Sequence, residues 1–538
     1  MRKNKVPYQS GEKLSVRFSG GSRHVALILL ILAICIVLMR AHTYTEPIER
    51  DIGSHAVIAH ELLEGRKLYS DLWDSKPPAI FITYALADAL VGQGPVSVYI
   101  VGIAAALITL LGVYYAASAY GGQIAGLWAA AFWTFICSDL WLWANQPNIE
   151  VGINASIVWA FALVLHSNTK RISPIRWILI GLLFTLATLY KQIAIVFPAI
   201  ICSIYFLLSL RDKKQTVIAL SQICIILMTG VLTWLAVFGY FAITDRVSIF
   251  YETIFNYGIY YSRSRGGNVL ENILQGLSDK RLWPVHMQDT LILVILAITG
   301  MIFGLVKGVR RYWLLLLGFA IASQLSISLP GRFYGHYYQL WLGPLTIASG
   351  WAVSVFGKKD KTGPRLLRNS IGSVGLVILL CTVMPQYRLS PDEWSARKQG
   401  SQYIYSKRLA MELDKMLQPD ETFYVWGINP EIYYWSRRHP PTGIIWATDL
   451  MDNPLAESNS IRALEDLRRN PPEIIVVNMQ HIDMPPEHPI INWAFVEGRY
   501  VPFPGNSDRG MLYGRPLFKI FVHRDGRLIK ELIRISHG

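Results

Sequence analysis

The sequence predicts a polytopic α-helical membrane protein that ends in a soluble α/β domain. Three observations carry that prediction. Of 538 residues, 52% are hydrophobic and only 16% charged, too apolar for an ordinary water-soluble chain of this length. Apolar runs recur from residue 24 to residue 384, each close to the ~20 residues that a ~30 Å hydrocarbon core requires. Beyond residue 385 the runs become short and β-branched and alternate with helical spacing.

The apolar runs lie at 24–40, 96–119, 123–140, 151–166, 174–190, 193–210, 216–243, 289–306, 312–329, 339–356 and 369–384. A further run, AIFITYALADALVG at 79–92, is shorter, carries Asp88 and follows Pro77-Pro78. Loop charge decides its fate. If it does not cross, the basic N-terminus, SNTKR (167–171), RDKK (211–214), KGVRR (307–311) and KKDKTGPRLLR (358–368) share one side, as the positive-inside rule requires. If it crosses, the N-terminus lies opposite the other four. The run is therefore read as a re-entrant or interfacial helix, which gives about 11 spans. On this topology residues 46–81, WLWANQPNIE (141–150), the YKQ junction (190–192), the loop 244–288, SLPGRFYGHYYQ (328–339) and everything after 385 share the non-cytoplasmic face. The first apolar run is long enough to span, and no small-residue cleavage site follows it, so it reads as an uncleaved helix.

The net charge of +14 is concentrated in short loops and is read as topological, with no nucleic-acid partner inferred. Cys35, Cys137, Cys202, Cys224 and Cys381 lie in or beside apolar runs and form neither a disulfide framework nor a metal-binding cluster by spacing. His55 and His60 in HAVIAHELLEG lack the H-E-x-x-H spacing of a zinc helix. VWGINPEIYY is no dinucleotide fingerprint, and no Walker loop is present.

In the tail, WSARKQGSQYIYSKRLAMELDKML (394–417) and PLAESNSIRALEDLRR (454–469) read as helices. TFYVWG (422–427), EIIVVN (473–478) and LFKIFVHR (517–524) read as strands. The chain divides into a membrane domain, 1–384, and an α/β domain, 385–538, long enough to fold alone.

The candidate chemistry lies in the segments placed together above. EPIERDIGSHAVIAHELLEGRKLYSDLWDSKPPAIF (46–81) is dense in charge beside the first span. Within it, Asp51 is a carboxylate near the interface, suited to orient an acceptor hydroxyl or take its proton. The plainer reading is a solvated loop acid. Lys76 stands on backbone stiffened by Pro77-Pro78 and suits a lipid phosphate, or else snorkels at the interface. Asn148 and Glu150 in NQPNIEV offer a carboxylate at the end of a span, where Asn and Pro are also ordinary turn residues. Lys191 and Gln192 fall between two apolar runs with almost no loop. A cation there needs a partner, and a phosphate would be one. Arg332, His336, Tyr337 and Tyr338 lie in GRFYGHYYQLWLGP. Arg332 suits phosphate and His336 a proton or hydrogen bond, while Tyr337, Tyr338 and Trp341 read foremost as a membrane aromatic belt.

Taken in order, Asp51 with AHELLEGRKLYSDLWDSKPP, then QPNIEV, LYKQ and RFYGHYY resemble the GT-C membrane glycosyltransferases. More narrowly, they resemble glycosyltransferase family 39, the relatives of protein O-mannosyltransferase and lipid A aminoarabinose transferase. FYVWGINPEIYYWSRR and PPEIIVVN resemble bacterial members with an outer C-terminal domain. The resemblance implies a GT-C-like fold and transfer of a sugar from a polyprenyl-phosphate carrier to a glycan, lipid or protein acceptor at the outer face. The location expected is a bacterial inner membrane, with a cytoplasmic N-terminus and a periplasmic or extracytoplasmic C-terminal domain. It implies Asp51 as the catalytic carboxylate and Lys76 as a contact of the carrier phosphate, with Lys191, Gln192, Arg332, His336 and Tyr337 around the donor. Many relatives carry Asp-Glu at the catalytic position, whereas Ile52 follows Asp51 here. Glu150 is the candidate second carboxylate. No cofactor is assigned and no metal ligand is named, although a divalent metal is compatible with the resemblance. Loss of the sugar–phosphate bond builds charge on the leaving phosphate, which fixed cations stabilise most in the transition state. In-line attack would invert the anomeric centre. The competing reading, a transporter or flippase, places ionisable groups near the midplane of spans rather than at one end.

Overall fold

The computed structural model describes residues 20–167, 173–263, 268–280, 282–306, 310–355, 363–504 and 507–537. The first eight helices are α1 (Gly20–His42), α2 (Arg50–Leu63), α3 (Ala79–Val91), α4 (Pro95–Ile136), α5 (Ile149–Leu165), α6 (Pro174–Tyr190), α7 (Val196–Ser209) and α8 (Lys213–Ile243). Short helices follow between 247 and 290, and then Leu291–Val306, Arg310–Ser328, Leu342–Val355 and Gly363–Val383. Helix thus occupies most of every predicted apolar run. Six helical segments among the described residues are long and apolar enough to cross a membrane. Of the basic segments behind the predicted orientation, residues 1–19, 168–172, 307–309 and 356–362 lie outside the described residues.

α3 has 13 residues. At 1.5 Å per residue that is about 20 Å, short of a ~30 Å core. Its Ile80, Phe81 and Tyr84 are buried, while Ile82, Leu86 and Leu90 are exposed. α4 joins two predicted spans across Gly122, whose φ of 70° breaks the helix in a conformation that suits glycine. Its second half stops at Ile136, earlier than the predicted run, and turns replace helix up to residue 148. The physical reason is Arg40, buried at the end of α1. Its guanidinium donates to the carbonyls of Cys137 (2.9 Å), Ala144 (3.0 Å) and Asn145 (2.9 Å), which are thereby taken out of helical pairing.

The tail folds around five strands: β1 (Phe423–Trp426), β2 (Ile474–Asn478), β3 (Tyr500–Pro502), β4 (Asp508–Leu512) and β5 (Arg515–His523). β1 pairs parallel with β2, and β5 runs antiparallel to β2 with Val476 opposite Ile520. β3 and β4 both pair antiparallel with β5. Three strands are predicted and two more are present. β3 and β4 are short, part-exposed pieces without an apolar run to announce them. The single helix predicted at 394–417 is two, Pro391–Gln399 and Gln402–Met416, parted at Gly400 with φ 82°. Ser390 and Glu393 form a capping box that starts the first.

The tail is docked on the segment between α1 and α4. One apolar core runs from Ile52 and Ile58 of α2 into Phe423, Ile432 and Tyr433. Lys398 reaches Glu46 at 2.6 Å with both groups buried, and the Trp73 amide donates to the Gly443 carbonyl at 3.0 Å. Gly53 faces the backbone of Glu431, where an added Cβ would lie 2.6 Å from Cα.

Candidate active site

Between the helix ends and the tail lies a cavity of about 1240 Å³. Asp51, Lys76, Glu150, Lys191, Gln192, Arg332, His336 and Tyr337, chosen from sequence, all line it. Asp88 and Asp139, acids inside or beside apolar runs, do not. Asp88 lies 2.9 Å from His60 Nδ1, and Asp139 accepts from the Leu142 amide at 2.7 Å.

Asp51 stands in the first turn of α2, where a carboxylate faces the positive end of the helix. Burial alone would raise its pKa. Lys76 and Arg50 outweigh burial and hold the carboxyl well below the usual carboxylate range. Glu49, the N-cap residue of α2, moves the other way: burial pushes it up, and Asp51 adds to the rise. Asn148 couples the two. Its Nδ2 donates to Glu49 Oε1 at 2.8 Å and to Asp51 Oδ2 at 3.4 Å, while its Oδ1 caps α5 by accepting from the Ile149 amide at 2.7 Å. Gln399 of the tail donates to the other Glu49 oxygen at 2.5 Å. The carboxylate that shares a donor with Asp51 is thus Glu49, not Glu150.

Lys76 pairs with Asp74 at 3.0 Å. Asp74 also accepts from Ser54 Oγ at 3.0 Å, and Ser54 Oγ accepts from Trp446 Nε1 at 3.1 Å. The lysine stays charged because Asp74 and Asp51 overcome the burial that opposes it.

Lys191 stands at the break between α6 and α7. Its ammonium pairs with the Glu150 carboxylate at 3.2 Å. The ammonium also lies 3.5 Å from the centre of the Tyr337 ring. Arg332 lies 4.2 Å over Tyr261. Gln192 lines the cavity, but its amide nitrogen is engaged with the Ile254 carbonyl at 2.9 Å. His336 is buried between Tyr334 (ring centroids 5.7 Å apart) and Trp143 (5.3 Å), and its Nδ1 has no hydrogen-bond partner among the described residues. Trp143 and Phe333 hold φ of 54° and 47°, costly for bulky side chains and found where a site fixes its backbone.

One sequence reading is corrected here. Tyr337 and Tyr338 are no membrane belt, because both rings are buried. Tyr338 donates to the Gly276 carbonyl at 2.9 Å and is part of the core. Among the lining residues that sequence reasoning did not single out are Glu49, Arg50, Trp446 and Asp449. Glu49 and Arg50 stand beside Asp51 in EPIERD, a signal that was available. Trp446 and Asp449 come from the tail, and nothing in their neighbourhood marks them. Among the described residues no group of three or more His, Cys, Asp or Glu is placed to hold a metal ion.

Apolar helices, a two-helix first connection bearing Asp51 and an α/β tail enclose a cavity lined by both cations and carboxylates, and this is the multi-pass membrane fold of the GT-C glycosyltransferases, as the following likenesses show. The family described as dolichyl-phosphate-mannose-protein mannosyltransferase matches residues 75–236. ArnT from Cupriavidus metallidurans bound to undecaprenyl phosphate superposes with TM-score 0.60 at 14% identity, over 94% of this chain and 99% of that one. Its apo state gives TM-score 0.61 at 14% identity, over 95% of this chain and 99% of that one. The archaeal oligosaccharyltransferase AglB from Archaeoglobus fulgidus, in complex with an inhibitory peptide and a dolichol-phosphate, gives 0.51 at 12% identity, over 85% and 70%. No curated protein matches the chain in sequence. At these identities the likeness is one of fold.

Proposed function

We propose that the protein transfers a sugar from a polyprenyl-phosphate-linked donor to an acceptor hydroxyl on a glycan, lipid or protein, at the outer face of a bacterial inner membrane. The observation that carries this reading is the placement of Asp51 and Lys76 on one cavity, beneath the α/β tail of a GT-C fold. The matched ArnT and AglB structures hold undecaprenyl phosphate and a dolichol-phosphate, which supports a lipid-phosphate donor.

The acceptor oxygen attacks the anomeric carbon, the bond from that carbon to the phosphate oxygen breaks, and the carrier phosphate leaves with the electron pair. Attack opposite the leaving group inverts the centre. Asp51 is a weak base because its pKa is depressed. It therefore orients the hydroxyl first and receives the proton late, once the forming bond has made that proton acidic. Lys76, Lys191 and Arg332 stabilise the charge that develops on the phosphate. Glu150 tempers Lys191, and Glu49 and Asn148 position Asp51. Gln192, His336 and Tyr337 shape the donor wall. The tail from 385 onward is an α/β domain on the outer face that completes the site.

Radiolabelled polyprenyl-phosphate sugars in detergent, with membrane extract as acceptor source, test the reading. Wild type is expected to transfer or hydrolyse one of the panel, and Asp51→Asn to fall by about 10²–10⁴-fold while staying folded. Equal activity would remove Asp51 from the chemistry. No turnover of any donor would favour transport of a lipid-linked substrate instead.

A further inference from the structure

We propose that the tail segment Trp446–Asn453 forms the subsite for the donor's sugar ring, with Asp449 bonding its hydroxyls and Trp446 covering one face. This rests on the transferase reading above and names the part of the site that reads the sugar.

Asp449 is 9% exposed, and the part that remains open faces the cavity. The hydrogen-bond partner its carboxyl has is the Tyr257 hydroxyl, at 3.5 Å, the far limit of such a bond. A carboxyl that deep is ordinarily fully bonded. Burial, with Asp74 nearby, pushes its pKa well above the usual range. A carboxyl there offers vicinal hydroxyls two oxygens to bond and has no attraction for a phosphate.

The segment is fixed from two sides. Asn459 donates to the Asp449 carbonyl at 3.3 Å, and Ser460 donates to the Leu450 carbonyl at 3.1 Å, tying it to helix Ala456–Arg469. The amide of Asn453 bridges the carbonyls of Asp449 (3.2 Å) and Met451 (3.0 Å). On the other side, Trp446 is held to Ser54 of α2 through its indole N–H at 3.1 Å. Its ring centre lies 5.6 Å from the Lys76 ammonium. A phosphate at Lys76 therefore sets the attached sugar against a flat apolar face, with a carboxyl three residues further along the chain. Aromatic faces accept the C–H side of a sugar ring, and a buried polar group that loses its substrate hydroxyl discriminates strongly.

The test compares sugar-free undecaprenyl phosphate with whichever undecaprenyl-phosphate donor (glucose, mannose, galactose or arabinose) the wild type turns over. Asp449→Ala is expected to raise KM for the loaded donor by more than about tenfold while sugar-free carrier binds within about twofold of wild type. Asp449→Asn, which keeps a donor and an acceptor, is expected to stay within about threefold on both. Equal losses on the loaded and the bare carrier would overturn the subsite, because the residue would then be structural or phosphate-binding. So would an Asp449→Ala enzyme with unchanged KM. If the wild type turns over no donor yet binds bare carrier, the transferase reading falls and the subsite falls with it.

Discussion

The Lys191 ammonium meets the Glu150 carboxylate at 3.2 Å in the cavity wall, with Glu150 fully buried and its second carboxylate oxygen without a hydrogen-bond partner among the described residues. Each group is the other's counter-charge, and removing one leaves the other buried alone. If Lys191 serves the carrier phosphate, Glu150→Gln removes its competitor. Carrier binding is then expected to tighten or stay level, while turnover falls by no more than about tenfold. Lys191→Met is expected to weaken carrier binding by more than about tenfold. Titration of undecaprenyl phosphate against both variants checks this. A loss of turnover in Glu150→Gln as large as that in Asp51→Asn would make Glu150 a second catalytic carboxylate after all.

Asn148 has two duties, capping α5 and bridging Glu49 to Asp51. Asn148→Ser separates them, since serine caps as well as asparagine but cannot span two carboxylates. Thermal stability in detergent is expected to stay near wild type. Hydrogen bonds to a carboxylate favour its ionised form, so losing the bridge raises the pKa of the pair. The acid limb of donor turnover is then expected to begin at a higher pH than in wild type. Superimposable pH profiles would show that the bridge does not tune Asp51.

These relationships mark the limit of what the sequence alone discloses. Apolar length and loop charge are one-dimensional signals, and they locate the helices and the face where Asp51, Lys76, Lys191 and Arg332 gather. Lys191 was conspicuous because a cation between two apolar runs needs a partner. Which partner was not legible, since Glu150 lies 41 residues away in sequence. Asp449 and Trp446 reach the cavity through the docking of the tail on α2, a long-range packing event with no local pattern. The belt reading of Tyr338 failed for a related reason: an aromatic at the end of a span looks the same in sequence whether it faces lipid or core.

Gly53 tests that docking directly. An added Cβ would stand 2.6 Å from Glu431 Cα and 2.7 Å from its backbone nitrogen, so backbone must move. Overpacking of this kind costs about 1–3 kcal/mol. Because Gly53 lies two residues beyond Asp51 on the same helix turn, the shift also moves the carboxylate. Gly53→Ala is expected to lower the melting temperature by several degrees and to reduce donor turnover together. Gly239→Ala, in α8 with nothing within 4 Å of the added carbon, is the control and is expected to change neither. A Gly53→Ala protein with wild-type turnover and stability would mean that α2 and the tail are not held in close contact.

Glu431, on the tail side of that contact, carries a pH dependence of stability. Its side chain is fully buried, with Oε1 accepting from Asn429 at 2.9 Å. Burial pushes its pKa up from 4.5 to about 7. Between those values the folded state holds a proton that the unfolded state has released. Stability therefore falls as pH rises from about 4.5 to about 7 and is level above that. A shift of this size corresponds to roughly 3 kcal/mol at most. Glu431→Gln imitates the protonated acid and cannot ionise. It is expected to match wild type in melting temperature near pH 4.5, to exceed it at pH 8, and to diverge across the interval between. Parallel melting curves across that range would show that Glu431 titrates alike in the folded and unfolded chains, through water reaching the contact between α2 and the tail.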